Sequence, residues 1–261
     1  MLSAVLLSGL LYQVAQNSAP VKEMAGKREP VVRRTVKGKR KGRTLTVGHP
    51  GPQSPVVFHF HGETWLPEQS IASVYPDATI VAIYLGDNSD PYRDAYLSVR
   101  SFEKLLAEAG ARRRPVILTS FSAGYGAIRS ILRHSYRRVD GVLLMDGIHT
   151  DYLNRGVNPA ELDVFLQFAK DATLGRKRMV ITHSEVYPGT FASTREATDW
   201  LLGQLHLRRL PVIRDGPGGM KQTSEVRHGR MAILGFAGDS ATDHVDHFYG
   251  MATWLRALRR L

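Results

Sequence analysis

The most informative segment of the chain is Pro115-Val-Ile-Leu-Thr-Ser-Phe-Ser122-Ala-Gly124-Tyr-Gly126-Ala-Ile-Arg-Ser-Ile-Leu132. Its first residues are apolar or β-branched, which predicts a short buried strand. Residues 123–132 carry apolar side chains at helical spacing, which predicts a helix directly after that strand. Ser122 lies on the turn between them, and small residues occupy both second-neighbour positions, Ser120 and Gly124. Such a turn lifts the serine hydroxyl out of the sheet and directs the N–H of Ala123 towards an incoming carbonyl oxygen.

This strand–serine–helix arrangement resembles the nucleophile elbow of the α/β-hydrolase superfamily, whose pattern is G-x-S-x-G. The chain has Ser120-Phe-Ser122-Ala-Gly124, so a serine replaces the first glycine of the pattern. The turn requires a small residue at that position, and serine is small. Because Ser120 falls within the predicted strand, we take Ser122 as the nucleophile. The resemblance covers residues 31–261 and implies an esterase-like or lipase-like serine hydrolase.

The composition fits one globular domain. The chain has 261 residues, of which 43% are hydrophobic and 23% are charged, and this length is enough for a single α/β domain with a large buried core. There is no cysteine, which excludes disulfide bonds, thiolate nucleophiles and cysteine-ligated metals. The formal net charge of +11 predicts at most a weak attraction to anionic surfaces, because the basic residues are scattered in short clusters. We predict no specific binding of nucleic acid.

The amino-terminal thirty residues are predicted to lie outside this domain. Residues 1–20 begin with an apolar run that has the length of a signal-peptide core and is too short to span a bilayer. No lysine or arginine precedes the run, and an amphipathic helix packed on the domain is the alternative. We expect a signal peptide at 1–20 and a secreted protein, periplasmic or extracellular; without a signal, the protein would be cytoplasmic. Residues 21–30 are polar and predict a linker, and no stable membrane span is expected.

Strands and helices alternate along the single domain, residues 31–261. A hairpin is predicted over 31–47, and buried strands are predicted over 54–61, 78–84, 115–121, 139–146, 178–182 and, as the last strand, 231–236. Helices are predicted over 67–74, 90–110, 123–132, 159–172, 196–207 and 242–261, with a loop or hairpin at 216–219. This alternation predicts a mostly parallel, doubly wound α/β sheet with helices on both faces, as in the α/β-hydrolase fold.

A serine nucleophile needs a histidine to accept its proton and a carboxylate to orient that histidine. In the superfamily that the chain resembles, these residues follow the order serine, acid, histidine. We prefer Asp146 as the acid because it directly ends a predicted strand, whereas Glu185 lies three residues past the next one. Asp151 is a weaker third candidate.

The last predicted helix supplies the base. We prefer His244 over His247, because His244 lies in the entering turn, nearest the sheet edge where Ser122 is exposed. The resemblance also implies an oxyanion hole, formed by the backbone N–H groups of Glu63 and Ala123. Together these residues predict a carboxylic ester hydrolase with a catalytic triad, acting on a small-molecule or acyl substrate through an acyl-enzyme intermediate, without cofactor or metal.

Two other functions stay open at this point. A metal-dependent hydrolase could use His59, His61, His244 and His247, since His-x-His on a strand places both rings on one side. A non-catalytic protein with this fold could instead hold an anionic polymer on its basic surface. The segment 147–158 is too short for a large lid, which argues against an interfacially activated lipase.

Overall fold

The computed structural model describes residues 32–35, 42–48 and 50–261, so the predicted signal peptide and linker lie outside the described residues. The strands are β1 Val32–Thr35, β2 Arg43–Val47, β3 Val56–Phe60, β4 Thr79–Ile83, β5 Val116–Phe121, β6 Gly141–Met145, β7 Tyr152–Leu153, β8 Gly156–Val157, β9 Arg178–His183, β10 Leu210–Asp215, β11 Lys221–His228 and β12 Met231–Phe236. The α-helices are α1 Trp65–Val74, α2 Ser89–Ala95, α3 Val99–Glu108, α4 Tyr125–Ser135, α5 Pro159–Thr173, α6 Thr194–Leu205, α7 Ala241–Tyr249 and α8 Met251–Arg260.

Ten of these strands form one sheet, in the order β1-β2-β4-β3-β5-β6-β9-β12-β11-β10. The six central strands, from β4 to β12 in that order, pair in parallel. The strands outside them pair antiparallel at both edges. The prediction of a mostly parallel sheet is therefore confirmed, and the carboxyl ends of the central strands lie along one edge.

Helices cover both faces of the sheet, and every residue of β3, β4, β5 and β6 is buried as a result. On one face the core is built from α2 to α6, with large side chains that include Tyr92, Phe102, Ile128, Phe165 and Leu201. On the other face it is built from α1, α7 and α8, with Ile71, Val245, Phe248, Trp254 and Leu255. In the described part of the chain, no helix is both long enough and apolar enough to cross a membrane.

Two predicted helices are each divided in two. The helix expected over 90–110 is α2 followed by α3, because Ser98 adopts an extended conformation and its hydroxyl accepts a hydrogen bond from the Arg100 N–H at the start of α3. The helix expected over 242–261 is α7 followed by α8, which meet at Gly250. A Cβ at Gly250 would lie 2.7 Å from the indole nitrogen of Trp254, which donates to the His247 carbonyl oxygen.

The sequence predicts a loop or hairpin at 216–219 but neither of the strands beside it, and the structure has a hairpin there, formed by β10 and β11. This hairpin extends the sheet beyond β12 on its antiparallel edge. Most side chains of β10 are exposed, Ile213 completely, and β11 is mostly polar. An edge hairpin without a well-buried face lacks the apolar alternation by which strands are recognised in a sequence.

Candidate active site

Left-handed backbone marks the carboxyl ends of three neighbouring strands. The residues directly after β3, β5 and β6 are His61, Ser122 and Asp146, with φ angles of 73°, 44° and 42°. A residue with a side chain adopts positive φ at an energetic cost of about 1–3 kcal/mol, and such strain persists mainly at functional sites. Since β3, β5 and β6 are paired in this order, the three strained residues lie next to one another on the same edge of the sheet.

Close backbone contacts fix the turn that carries Ser122. A short 3₁₀ turn over Ser122–Gly124 joins β5 to α4. A Cβ at Gly124 would lie 2.1 Å from the Phe60 carbonyl oxygen, and a Cβ at Gly147 would lie 2.3 Å from the carbonyl oxygen of Ser122. Both contacts are compatible only with glycine. Ser122 itself is partly exposed, whereas Ser120 is fully buried, so the structure leaves Ser122 as the accessible hydroxyl of the pair.

The preferred acid and the preferred base are in contact. The Asp146 carboxylate follows β6, and His244 lies in the first turn of α7, which a capping box of Ser240 and Asp243 begins. The distance from His244 Nδ1 to Asp146 Oδ2 is 2.8 Å, and the imidazole packs on the Phe121 ring with 4.7 Å between centroids. An ionised carboxylate only accepts, so the proton lies on Nδ1 and leaves the Nε2 lone pair free for a base.

Asp146 is buried but remains ionised. Burial alone would raise the pKa of its carboxyl, but neighbouring imidazoles and hydrogen bonds from His244 and Ser184 hold the pKa well below its usual range. The Ser184 hydroxyl and N–H lie 2.5 Å and 3.1 Å from the two carboxylate oxygens. Since burial keeps His247 neutral near pH 7, with its pKa lowered to about 4, we attribute the ionisation of Asp146 to His244 and Ser184.

The competing acid and base residues have other partners. Glu185 forms an ion pair with Arg195 at the surface, and Asp151 is exposed. His247 is fully buried, and its Nδ1 lies 2.8 Å from the Thr182 hydroxyl oxygen. The structure therefore brings together Asp146 and His244, and it hydrogen-bonds neither Glu185 nor His247 to that pair.

Two histidines of the alternative metal site, His59 and His61, form hydrogen bonds with other groups of the protein. Both ring nitrogens of His59 are hydrogen-bonded, Nδ1 with the Thr119 hydroxyl at 2.9 Å and Nε2 with the His61 carbonyl oxygen at 2.6 Å. Nδ1 of His61 lies 3.1 Å from the Tyr92 hydroxyl, and its ring stacks on Phe121. Among the described residues, no group of three or more histidine or carboxylate side chains is arranged to hold a metal ion. The geometry therefore does not support a ligand set of His59, His61, His244 and His247.

The loop after β3 carries the predicted oxyanion residue Glu63. Gly62 precedes it with a φ of 96°, and the Phe248 ring lies 2.6 Å from where a Cβ on Gly62 would be. Ala123 follows Ser122 at the start of a helical segment, where backbone N–H groups have no intrahelical acceptor. Since β3 and β5 are paired neighbours, both N–H groups belong to loops at the same end of the sheet.

Comparisons with known proteins identify the fold. No protein-family model matches the sequence, and no curated protein matches it. Among solved structures, a cold-adapted esterase from an Arctic intertidal metagenomic library is 14% identical, with 89% of this chain and 96% of that chain aligned at a TM-score of 0.50. The chain has the α/β-hydrolase fold. The fold expected from the serine elbow is thus confirmed.

Two further solved structures with the α/β-hydrolase fold are similar to this chain. Esterase LipW from Mycobacterium marinum is 13% identical, covering 98% of this chain and 88% of that chain, with a TM-score of 0.49. A serine hydrolase without a lid from Xanthomonas campestris is 11% identical, covering 90% and 96%, with a TM-score of 0.48. At these identities the likeness concerns the fold alone.

Ser184 contacts Asp146 and Gly147 contacts Ser122 in the candidate site, but neither residue has a role in the sequence analysis. Ser184 immediately precedes Glu185, the alternative candidate for the acid. The hydrogen bond between Ser184 and Asp146 joins residues that are 38 positions apart in the chain. Gly147 follows Asp146 directly at the end of a predicted strand. A glycine at such a position indicates that another stretch of backbone approaches it closely, and this was the one sign of its role in the sequence.

The first prediction concerns Gly147. We expect Gly147→Ala to lower the free energy of unfolding by about 1–3 kcal/mol, because its Cβ would overlap the Ser122 backbone. The control is Gly203→Ala in α6, where a Cβ meets nothing within 4 Å, and there we expect a gain of about 0.5–1 kcal/mol. Urea unfolding measures both values, and a Gly147→Ala variant as stable as the parent would contradict the close approach.

The second prediction concerns acid stability. Burial lowers the pKa of His247 to about 4 from an ordinary value of 6.5, so the unfolded chain binds more protons between these pH values than the folded chain does. Stability should therefore fall as the pH drops from 6.5 towards 4, by about 3 kcal/mol for this group. Urea unfolding from pH 7 to pH 4 tests it. A His247→Gln variant should lose part of the slope, and an unchanged slope would show that His247 is not buried neutral.

Proposed function

We propose that the protein is a serine hydrolase that cleaves a carboxylic ester through an acyl-enzyme intermediate. Ser122 is the nucleophile, His244 the general base and Asp146 the acid that orients it, and the substrate is a small-molecule or acyl ester. The observation that carries this proposal is the hydrogen bond of 2.8 Å between His244 and Asp146, formed across 98 positions of the chain. This pair lies at the same edge of the sheet as Ser122, the accessible serine with a strained backbone that follows β5.

The acylation step uses each of these groups once. The Ser122 oxygen attacks the ester carbonyl carbon while its proton passes to His244 Nε2, and Asp146 stabilises the imidazolium that forms. The backbone N–H groups of Glu63 and Ala123 would donate to the oxyanion, each contributing about 3 kcal/mol to transition-state stability. The C–O bond to the alcohol then breaks, and the alcohol leaves with the proton from Nε2.

Deacylation repeats the same transfers with water. His244 Nε2 removes a proton from a water molecule, whose oxygen attacks the acyl carbon, and the proton then returns to the Ser122 oxygen as the acid product leaves. Among the described residues, the Ser122 hydroxyl forms no hydrogen bond with His244. Such contacts in ligand-free enzymes are often long and shorten when substrate binds.

The third prediction tests the nucleophile. A fluorophosphonate probe should label the parent protein, and Ser122→Ala should remove both labelling and hydrolysis of nitrophenyl esters, with a loss of about 10⁴-fold or more. Ser120→Ala is the matched control, because its hydroxyl is fully buried and labelling should persist. Labelling of the Ser122→Ala variant, or activity lost to a chelator and restored by zinc, would refute the assignment. Salt-sensitive binding of an anionic polymer without any turnover would favour the non-catalytic alternative.

The fourth prediction tests the acid and the base. Asp146→Asn should reduce kcat by about 10⁴-fold, because the asparagine favours the wrong imidazole tautomer. His244→Ala should be comparably inactive. Glu185→Gln and His247→Gln are the controls, since their side chains pair with Arg195 and Thr182 instead, and both should stay within about tenfold of the parent. Steady-state kinetics measures kcat for each variant, and circular dichroism checks that it is folded. An inactive Glu185→Gln with an active Asp146→Asn would make Glu185 the acid, and an inactive His247→Gln with an active His244→Ala would make His247 the base.

A further inference from the structure

The Asp146 carboxylate has a second partner besides His244. Ser184 is the first residue after β9 and is almost fully buried. Its hydroxyl lies 2.5 Å from Asp146 Oδ2, the same oxygen that His244 contacts, and its backbone N–H lies 3.1 Å from Oδ1. We propose that Ser184 is a positioning residue that fixes this carboxylate and sets how strongly it attracts a proton on His244. The catalytic consequence of this inference rests on the proposed function.

The hydroxyl of Ser184 has only one direction in which to donate. The backbone N–H of Val186 donates to the Ser184 hydroxyl oxygen at 3.2 Å, which occupies an acceptor position on that oxygen. A hydroxyl has a single proton, and the carboxylate of Asp146 is an acceptor that carries no proton when ionised. The Ser184 proton therefore points at Asp146 Oδ2, and the short distance is typical of a hydroxyl bound to a charged oxygen.

His183 and Arg209 hold Ser184 in this orientation. An Arg209 guanidinium nitrogen lies 2.8 Å from His183 Nε2, and since arginine only donates, Nε2 is the acceptor. The ring proton then lies on Nδ1, which donates to the Ser184 carbonyl oxygen at 2.9 Å. Burial and then the charge of Arg209 lower the pKa of His183, so the ring stays neutral in this tautomer.

The wider packing shows that this chain of contacts is built into the fold. Arg209 is itself anchored on α6 by Asp199 at 2.6 Å and by the Thr198 hydroxyl at 2.5 Å. On the other side, Gly235 of β12 pairs with His183, and a Cβ there would lie 2.7 Å from the imidazole ring. Helix α6 and strand β12 therefore both fix the ring that fixes Ser184.

The two hydrogen bonds that Ser184 donates to Asp146 affect the charge of this carboxylate as well as its orientation. Hydrogen bonds from Ser184 compensate part of the negative charge of Asp146. If the hydroxyl is removed, the carboxylate attracts the imidazolium form of His244 more strongly. The base then becomes protonated at a higher pH, and the acid limb of the pH–rate profile moves upwards.

The test is the pH dependence of kcat/KM for ester hydrolysis in Ser184→Ala. We expect kcat/KM near neutral pH to fall by about 10- to 100-fold, mainly through kcat, and the acid limb to move up by about one pH unit. Ser184→Thr keeps the hydroxyl and should restore the parental limb. Ser135→Ala is the matched control, because it removes a buried hydroxyl that has no hydrogen-bond partner in the described structure.

A second measurement does not need turnover. In a Ser122→Ala background, the ring signals of His244 are titrated by NMR with and without Ser184→Ala, and the midpoint should move up in the same way. If the protein does not hydrolyse esters, all turnover is absent but this shift remains, which separates the two proposals. A folded Ser184→Ala protein with an unmoved limb and an unmoved midpoint overturns the inference. If Ser184→Ala fails to fold, Arg209→Lys is measured in its place. We expect the acid limb and the His244 midpoint to move upwards in that variant too, and unmoved values would overturn the inference.

Discussion

The close approach of Gly147 to the backbone of Ser122 is the constraint on which this edge of the sheet depends. Strands β5 and β6 are parallel neighbours, and each ends in a residue with left-handed backbone. Turning both chains outwards at the same level brings Gly147 so near the Ser122 carbonyl oxygen that no Cβ fits between them. The pairing of β5 with β6 places the serine and the carboxylate on adjacent strand ends, and the steric contact requires glycine at position 147 between them.

Much of the arrangement of residues in this candidate site could be predicted from the sequence because its signals are local. A buried strand, a serine between small residues and a helix follow one another within eighteen residues, and Asp146 directly follows a predicted apolar strand. Parallel strands carry their carboxyl ends to one edge, so the meeting of these residues followed from the alternation of elements. The preference for His244 has a similar basis, since this residue lies where the last predicted helix begins.

The features that the sequence did not predict depend on contacts between distant residues. Ser184 acquires its partner only when β6 and β9 pair, and a buried serine has no distinctive pattern in the sequence. The partners of His59 and His61 depend on such contacts too. Their spacing in the sequence allows a pair of metal ligands, but it does not show which groups the two rings contact; β3 ends at Phe60, and His61 follows it with a φ of 73°. Its ring stacks on Phe121, and His59 is enclosed by its own hydrogen bonds.

A buried carboxylate is costly unless its charge is compensated, and the manner of compensation limits what it can do. A cation in direct contact with Asp146 would stabilise it but would also weaken its pull on an imidazolium. Here the nearest partners are neutral donors, the Ser184 hydroxyl and N–H, together with His244. The guanidinium of Arg209 is linked to Asp146 by a chain of hydrogen bonds, through the neutral ring of His183 and then through Ser184. The positive charge therefore fixes the geometry of the carboxylate from a distance, and the carboxylate keeps enough charge to orient a histidine base.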